Sequence, residues 1–348
     1  MVADAGSEAR SSRAGFRLDA GEHVANRPIA HHVLDALESA GVEEIVVASS
    51  ARLAGDVREC LESERRRDTR LRFVEQPAPL TLADALSLAA PIIDGAACVF
   101  HLANGLLGEQ LGPLVDRLRV DSADVVLIVH EEPAPDEHLA AASQDILHIA
   151  ELDPARAALG MTGVCLFGPD ALRNVGDAAW RAGGVVDLTM IAERIAHEGG
   201  SFHVRRANAW RRYTGDPLDL LELNQIALDR LESNASGPNQ HGNRIEGRVQ
   251  IHQSASVRSS VIVGPTVIGP GVSIANAYIG PYTSVGAGAR IEGAEIERSI
   301  ISAGASVMHI GLRLVASVVG RDARVFRDFS LPRALRLRVG DGTEVALC

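Results

Sequence analysis

The chain of 348 residues contains no lysine; all 34 of its basic side chains are arginine. Arginine- and alanine-rich usage is what a G- and C-rich coding sequence gives, so the absence is not in itself a functional sign. It still removes the compact ammonium that many phosphate sites use. Aromatics make up only 3% of residues, so any core must be aliphatic. No apolar run reaches the roughly 20 residues of a transmembrane helix, and residues 1–16 (MVADAGSEARSSRAGF) hold no apolar block of the secretory kind. Cys60, Cys98, Cys165 and Cys348 are scattered without metal spacing, and read as reduced thiols of a cytoplasmic protein. A net charge of −11 argues against a nucleic-acid partner. The basic run 62–72 (ESERRRDTRLR) is interrupted by acids and reads as a solvated helix end.

What the chain does have is a short repeat. Across residues 251–307 an aliphatic residue opens every unit: Ile251, Val257, Val263, Ile268, Ile274, Ile279, Val285, Ile291, Ile296, Ile301 and Val307. Three steps together advance 17 residues from Ile251 to Ile268, 17 more to Val285 and 16 to Ile301. That period predicts a left-handed parallel β-helix of hexapeptide repeats, with the openers pointing inward and glycines such as Gly271 and Gly288 at corners. One coil cannot bury its own aliphatic residues, so stacked neighbours must form the core.

The preceding residues alternate strand and helix signals. Residues 44–48, 71–75, 97–102 and 125–130 read as buried strands, and 29–37, 52–61 and 81–90 as helices. A turn is expected at Asn104 and Gly105. The alternation predicts a parallel sheet covered on both faces. Beyond residue 131 the pattern loosens: 145–150, 163–167 and 202–207 read as strands, 208–213 as a turn, and 187–198 and 219–231 as helices. The expected division is a disordered tail 1–15, an α/β domain 16–232, a linker 233–243 and a β-helix 244–348 whose last residues cap it.

This layout resembles sugar-1-phosphate nucleotidylyltransferases, with the long form of glucose-1-phosphate thymidylyltransferase nearest. The resemblance runs through VANRPIAHHVLDALESAGVEEIVV, VEQPAPLTLADAL, WRRYTGDPLDLLELNQIAL and AYIGPYTSVGAGARIEGAEIERSII, and covers residues 16–348. It implies a Rossmann-like nucleotidyltransferase domain before the β-helix. Such enzymes join a nucleoside triphosphate to a sugar 1-phosphate, using a glycine-rich loop, two magnesium aspartates and two lysines to manage the charge.

Against that pattern this chain is depleted. The first strand and the GGxGTR loop are missing, and Leu18 and Asp19 stand where the loop's lysine would fall. The turn that supplies one aspartate reads Leu102, Ala103, Asn104; the second aspartate's place is Tyr213; the Glu-Lys-Pro segment reads Glu151, Leu152, Asp153. The resemblance leaves a residual nucleotide-sugar pocket: Gln76 for the base, Asn104 beside the lost carboxylate, Glu151 for a sugar hydroxyl, and Gly163, Val164 and Gly215 for close backbone approach. Thr81 stands where a base-loop glycine belongs. Each of these also has a purely structural reading as a turn or strand-end residue. Arg205, Arg206, Arg211 and Arg212 either line the cleft or form a solvated strand face.

Three functions follow. The first is a catalytically degenerate homologue serving as scaffold, regulatory or partner subunit in activated-sugar or secondary metabolism, with no catalytic residue, metal or cofactor. The second is an active nucleotidylyltransferase with a displaced site, which alone would require magnesium. The third is a β-helix acyltransferase working from His252 or His309. The expected partners are further copies of the chain, a protein that supplies or replaces the missing strand, and a nucleotide or nucleotide-sugar; neither nucleic acid nor membrane is expected.

Overall fold

The computed structural model describes residues 21–63, 69–76, 82–131, 159–172, 191, 194, 195, 197–233 and 242–329. The readings of residues 1–15 and 145–150, of Leu18, Asp19, Thr81, Glu151, Leu152 and Asp153, and of the C-terminal cap lie outside them. Among the described residues no helix is long and apolar enough to cross a membrane.

The chain enters through a two-residue hairpin, β1 (His23–Val24) and β2 (Arg27–Pro28), and turns at once into α1 (Ile29–Ser39). Pro28 presets the backbone ahead of the first turn, and Ile29, Val33, Leu34 and Leu37 bury one helical face. Gly41, at φ +80°, reverses the chain. Strand β3 (Glu44–Ser50) then pairs in parallel with β4 (Arg70–Gln76) across α2 (Ala54–Glu62), from Glu44 opposite Arg70 to Ser50 opposite Gln76. Helix α3 (Leu82–Ile93) continues past Pro91, where the sequence suggested a stop at residue 90. Proline clashes with the carbonyl one turn back, but here only two residues of helix remain beyond it, and the Ala90 carbonyl still accepts from Asp94 N–H at 3.0 Å.

The next strands are β5 (Cys98–His101), β6 (Gly105–Leu107), β7 (Val125–Glu131) after α4 (Gly112–Asp121), β8 (Leu159–Phe167), β9 (Phe202–Arg206) and β10 (Trp210–Arg212). They correct the all-parallel expectation. β8 runs antiparallel to both β5 and β7, while β7 and β9 are parallel. The four form one sheet in the order β5-β8-β7-β9, separate from the β3-β4 pair. An antiparallel neighbour needs no crossover helix, so helix–strand alternation could not foretell β8. Asn104 lies in a turn as expected, but Gly105–Leu107 and Trp210–Arg212 are not turn but strand, paired with each other. Aliphatic cores lie in two clusters, one containing Leu37, Ile128 and Leu223, the other Phe100, Leu127 and Phe167.

After α5 (Pro217–Asp229) comes the β-helix. Fifteen short strands, from β11 (Arg244–Glu246) to β25 (Arg324–Phe326), form three parallel sheets of five, one coil above the next. Ile251 stacks on Ile268 and Val257 on Ile274, as the repeat requires. One side of the triangle is out of step with the sequence reading. Ile262, not Val263, stacks on Ile279 and Ile296 and is fully buried. Ser259 and Asn276, at φ 48° and 50°, turn the corner ahead of Val261 and Tyr278, and Arg298 and Ala316, at φ 48°, turn the next corner ahead of Ile300 and Val318, so non-glycine residues bear left-handed backbone at both.

The coil is docked on the α/β unit. Val267 and Ile300 belong to the first aliphatic cluster. Asn224 of α5, buried, accepts from Ala25 N–H at 2.8 Å and donates to the Tyr282 carbonyl at 3.0 Å, and Asn26 donates to the Val285 carbonyl at 2.7 Å.

Candidate functional site

The site forms where β5 ends and the β6–β10 ribbon begins. β6 and β10 pair with Gly105 opposite Arg212, and the ladder extends one step further. Tyr213 N–H donates to the Asn104 carbonyl at 2.9 Å, and the Asn104 side-chain amide donates to the Tyr213 carbonyl at 3.2 Å. Ala103–Asn104 and Tyr213, the two segments where the resemblance would place aspartates, are thus brought together by folding from positions about a hundred residues apart in sequence. Neither carries a carboxylate, and Ala103 is fully buried.

Gly163 and Val164 join them. Leu102 N–H donates to the Gly163 carbonyl at 2.8 Å, and Val164 pairs with His101. A Cβ on Gly163 would lie 2.4 Å from Leu102 Cδ1, so this position needs glycine for strand packing alone. Val164 is fully buried and has only its backbone to offer. Gly215 follows Tyr213 by two residues and takes φ +96°, which closes the turn into α5. Gln76 is buried at the end of β4, on the other sheet. Glu151 lies outside the described residues.

The turn after β10 rests on a network the sequence did not disclose. Asp219, 2% exposed, accepts at Oδ1 from Arg211 Nε at 2.8 Å and at Oδ2 from Thr214 N–H at 2.8 Å and Thr214 Oγ1 at 2.6 Å. Arg211 also lies 3.2 Å from Glu222. Arg211 therefore braces the turn against α5 and is not held in the cleft. Arg205 lies 3.4 Å from Glu109. The signal available beforehand was Asp216 and Pro217 opening a helix, with Asp216 capping Leu218 N–H at 2.9 Å.

In β5 itself, His101 is buried. Burial pushes the His101 imidazole down to about 4, and its Nδ1 lies 2.6 Å from the Leu102 carbonyl. A carbonyl only accepts, so Nδ1 carries the hydrogen and the ring is neutral. Its ring centroid lies 5.9 Å from that of Trp210. Arg230 donates to the carbonyls of Leu107 and, at 2.6 Å, Glu109, and burial lowers its pKa. It is a cation spent on main-chain carbonyls.

The donor set does not fit magnesium. That ion takes hard oxygen ligands with at least one carboxylate, and the paired segments offer a methyl group, a phenol and an amide already used as a donor. Among the described residues no three His, Cys, Asp or Glu side chains gather to hold a metal ion. In the β-helix, His252 Nδ1 meets Ser254 Oγ at 2.8 Å, and His309 lies at a corner with φ +54°, 3.9 Å from Glu292. Both are tied to local turn geometry.

The fold and the order of its parts have counterparts among known proteins. The chain is 28% identical over 326 residues to glucose-1-phosphate thymidylyltransferase of Streptomyces griseus, covering 91% of this chain and 90% of that protein. It is 27% identical over 334 residues to the low-salt glycan biosynthesis nucleotidyltransferase Agl11 of Haloferax volcanii, covering 93% and 92%. Over more than nine-tenths of its length the chain is similar to nucleotidylyltransferases of this kind. No protein-family model matches it. A Bacillus anthracis crystal structure titled as a putative glucose-1-phosphate thymidylyltransferase with sucrose superposes with a TM-score of 0.51 at 16% identity, over 60% of this chain and 86% of that one. At that identity the likeness speaks for the fold alone.

Proposed function

We propose that this chain has given up nucleotidyl transfer and serves as a scaffold or regulatory subunit for an enzyme of activated-sugar or secondary metabolism. One observation carries the reading. The segments that should bring two carboxylates to the triphosphate meet through main-chain and amide hydrogen bonds, and they present Ala103, Asn104 and Tyr213. Removing even one charge-stabilising group from such a site commonly costs about 3–4 kcal/mol in the transition state. Here both carboxylates are replaced and the lysines have no counterpart, since the chain has none.

What the cleft can still do is bind. Asn104, Gly163, Val164 and Gly215 lie together, and with Gln76 and Glu151 they form the proposed pocket for a nucleotide or nucleotide-sugar, needing no metal. Calorimetry with thymidine and uridine nucleotides and their sugar conjugates, with and without magnesium, tests this. Binding unaffected by chelator supports a metal-free pocket. Binding that requires magnesium would favour an active transferase whose site lies elsewhere in the cleft.

A further inference from the structure

Among the described residues, four of the seven exposed large apolar side chains fall within residues 312–329: Leu312, Val315, Phe326 and Phe329. Three of them share one corner of the last coil. Phe326 stands opposite Met308 of β22 (Ser306–Met308). The Phe329 ring centroid lies 6.1 Å from that of His309, the residue after Met308. A Cβ on Gly311, beside Leu312, would lie 3.7 Å from Arg327 Nη1. Phe326 and Phe329 are 51% and 69% exposed, in a chain with only seven phenylalanines.

The charges at this corner are unmatched as well. Elsewhere on the coil an arginine is answered two residues on, Arg244 by Glu246 at 2.6 Å and Arg290 by Glu292 at 2.9 Å, while Arg313 holds Glu295 and Glu297. Arg324 sits on the same row as Arg290, two coils along, but the residue two on is Phe326. Its guanidinium lies over the Phe326 ring, 5.2 Å from the centroid, and that of Arg327 lies over Phe329 at 5.4 Å. Among the described residues no carboxylate pairs with either guanidinium, and Asp328 has a partner of its own.

We propose that this corner docks an acidic segment of a partner protein, which sets carboxylates on Arg324 and Arg327 and an apolar side chain against Phe326 and Phe329. A guanidinium stacked on a ring keeps its edge N–H groups for a two-pronged grip on a carboxylate. Arginine and aromatic side chains together are the usual anchors of an interface. A second copy meeting this corner across a two-fold axis would set arginine against arginine. Residues 330–348 hold three arginines and two acidic side chains, so they bring no negative excess. A membrane or nucleic acid presents its charge over a wide surface and would meet the chain's net charge of −11, whereas a short acidic segment meets only this corner. Nothing in this docking requires that the cleft transfer nucleotides, or that it fail to.

The test uses the full chain and a capped, fluorescein-labelled peptide, Glu-Asp-Leu-Glu-Phe-Asp-Glu, beside one with lysine at every acidic position. Binding is read by fluorescence anisotropy, and exposure of Phe326 and Phe329 by hydroxyl-radical labelling. The expected result is saturable binding of the acidic peptide that weakens with added salt, none of the lysine peptide, and reduced labelling of both rings. Arg324→Gln with Arg327→Gln should weaken binding at least about tenfold, and Arg117→Gln on α4 should leave it unchanged. No saturable binding below about 1 mM, equal binding of the lysine peptide, or an unweakened double variant would overturn the proposal. Rings resistant to labelling in the chain alone would overturn it too, pointing to residues 330–348 if the resistance is independent of protein concentration and to a second copy if it is not. Binding of phosphatidylserine vesicles in place of the peptide would assign the corner to a membrane instead.

Discussion

Asp219→Ala tests how the turn beside the cleft is held. The carboxylate is 2% exposed and takes two hydrogen bonds from Thr214, at 2.8 and 2.6 Å, besides the Arg211 guanidinium. Hydrogen bonds to a charged group are worth about 1.5–3 kcal/mol each, and an orphaned main-chain N–H costs about 1–3 kcal/mol. The Arg211 share is discounted, because that side chain is 39% exposed and keeps Glu222 at 3.2 Å. The net loss is about 3 kcal/mol for Asp219→Ala and about 1 kcal/mol less for Asp219→Asn, which retains an acceptor. Urea unfolding followed by circular dichroism measures it, and amide exchange at Tyr213 and Thr214 should quicken in parallel. A loss below about 0.5 kcal/mol, or unchanged exchange at those two amides, would refute the reasoning, since a surface substitution does no more.

Burial holds both His32 and His101 at about 4, against 6.5 for a free imidazole. Between those values the unfolded chain binds more protons than the folded one, so stability is fully present above pH 6.5 and falls as pH drops toward 4. The slope is about 1.4 kcal/mol per pH unit for each histidine. Urea midpoints at pH 7 and pH 5 should show the fall, and His101→Asn should lessen it; an unchanged midpoint contradicts the burial. Ile279→Ala removes a fully buried side chain stacked between Ile262 and Ile296, and should cost about 2–5 kcal/mol in thermal or urea unfolding. Gly163→Ala places a methyl 2.4 Å from Leu102 and should cost about 1–3 kcal/mol, while a neutral result would show that β5 and β8 pack less closely.

The β-helix was legible because each coil repeats the same burial demand: one aliphatic residue inward, every five or six positions. The misreading at Val263 arose in a run of three aliphatics, Val261–Val263, where spacing does not say which one faces in and only stacking on Ile279 decides. Strands β6 and β10 escaped notice because three residues are too short for a period of two to show, and their partners lie about a hundred residues apart. Parallel pairing was inferred from helix–strand alternation, which is silent on β8 since antiparallel neighbours need no helix between them. In the site, the absence of carboxylates at Ala103, Asn104 and Tyr213 was visible in sequence, and folding supplies the meeting of these segments. The Arg211–Asp219 contact was not visible, because a strand residue and a helix residue eight positions apart meet only once β10 turns into α5.

The proposed function requires that the cleft not stabilise a reacting triphosphate. Exchange of radiolabelled pyrophosphate into thymidine and uridine triphosphates, with magnesium and the matching nucleotide-sugars present, tests this most directly. No exchange above a protein-free blank is expected. Magnesium-dependent exchange by the purified chain would contradict it.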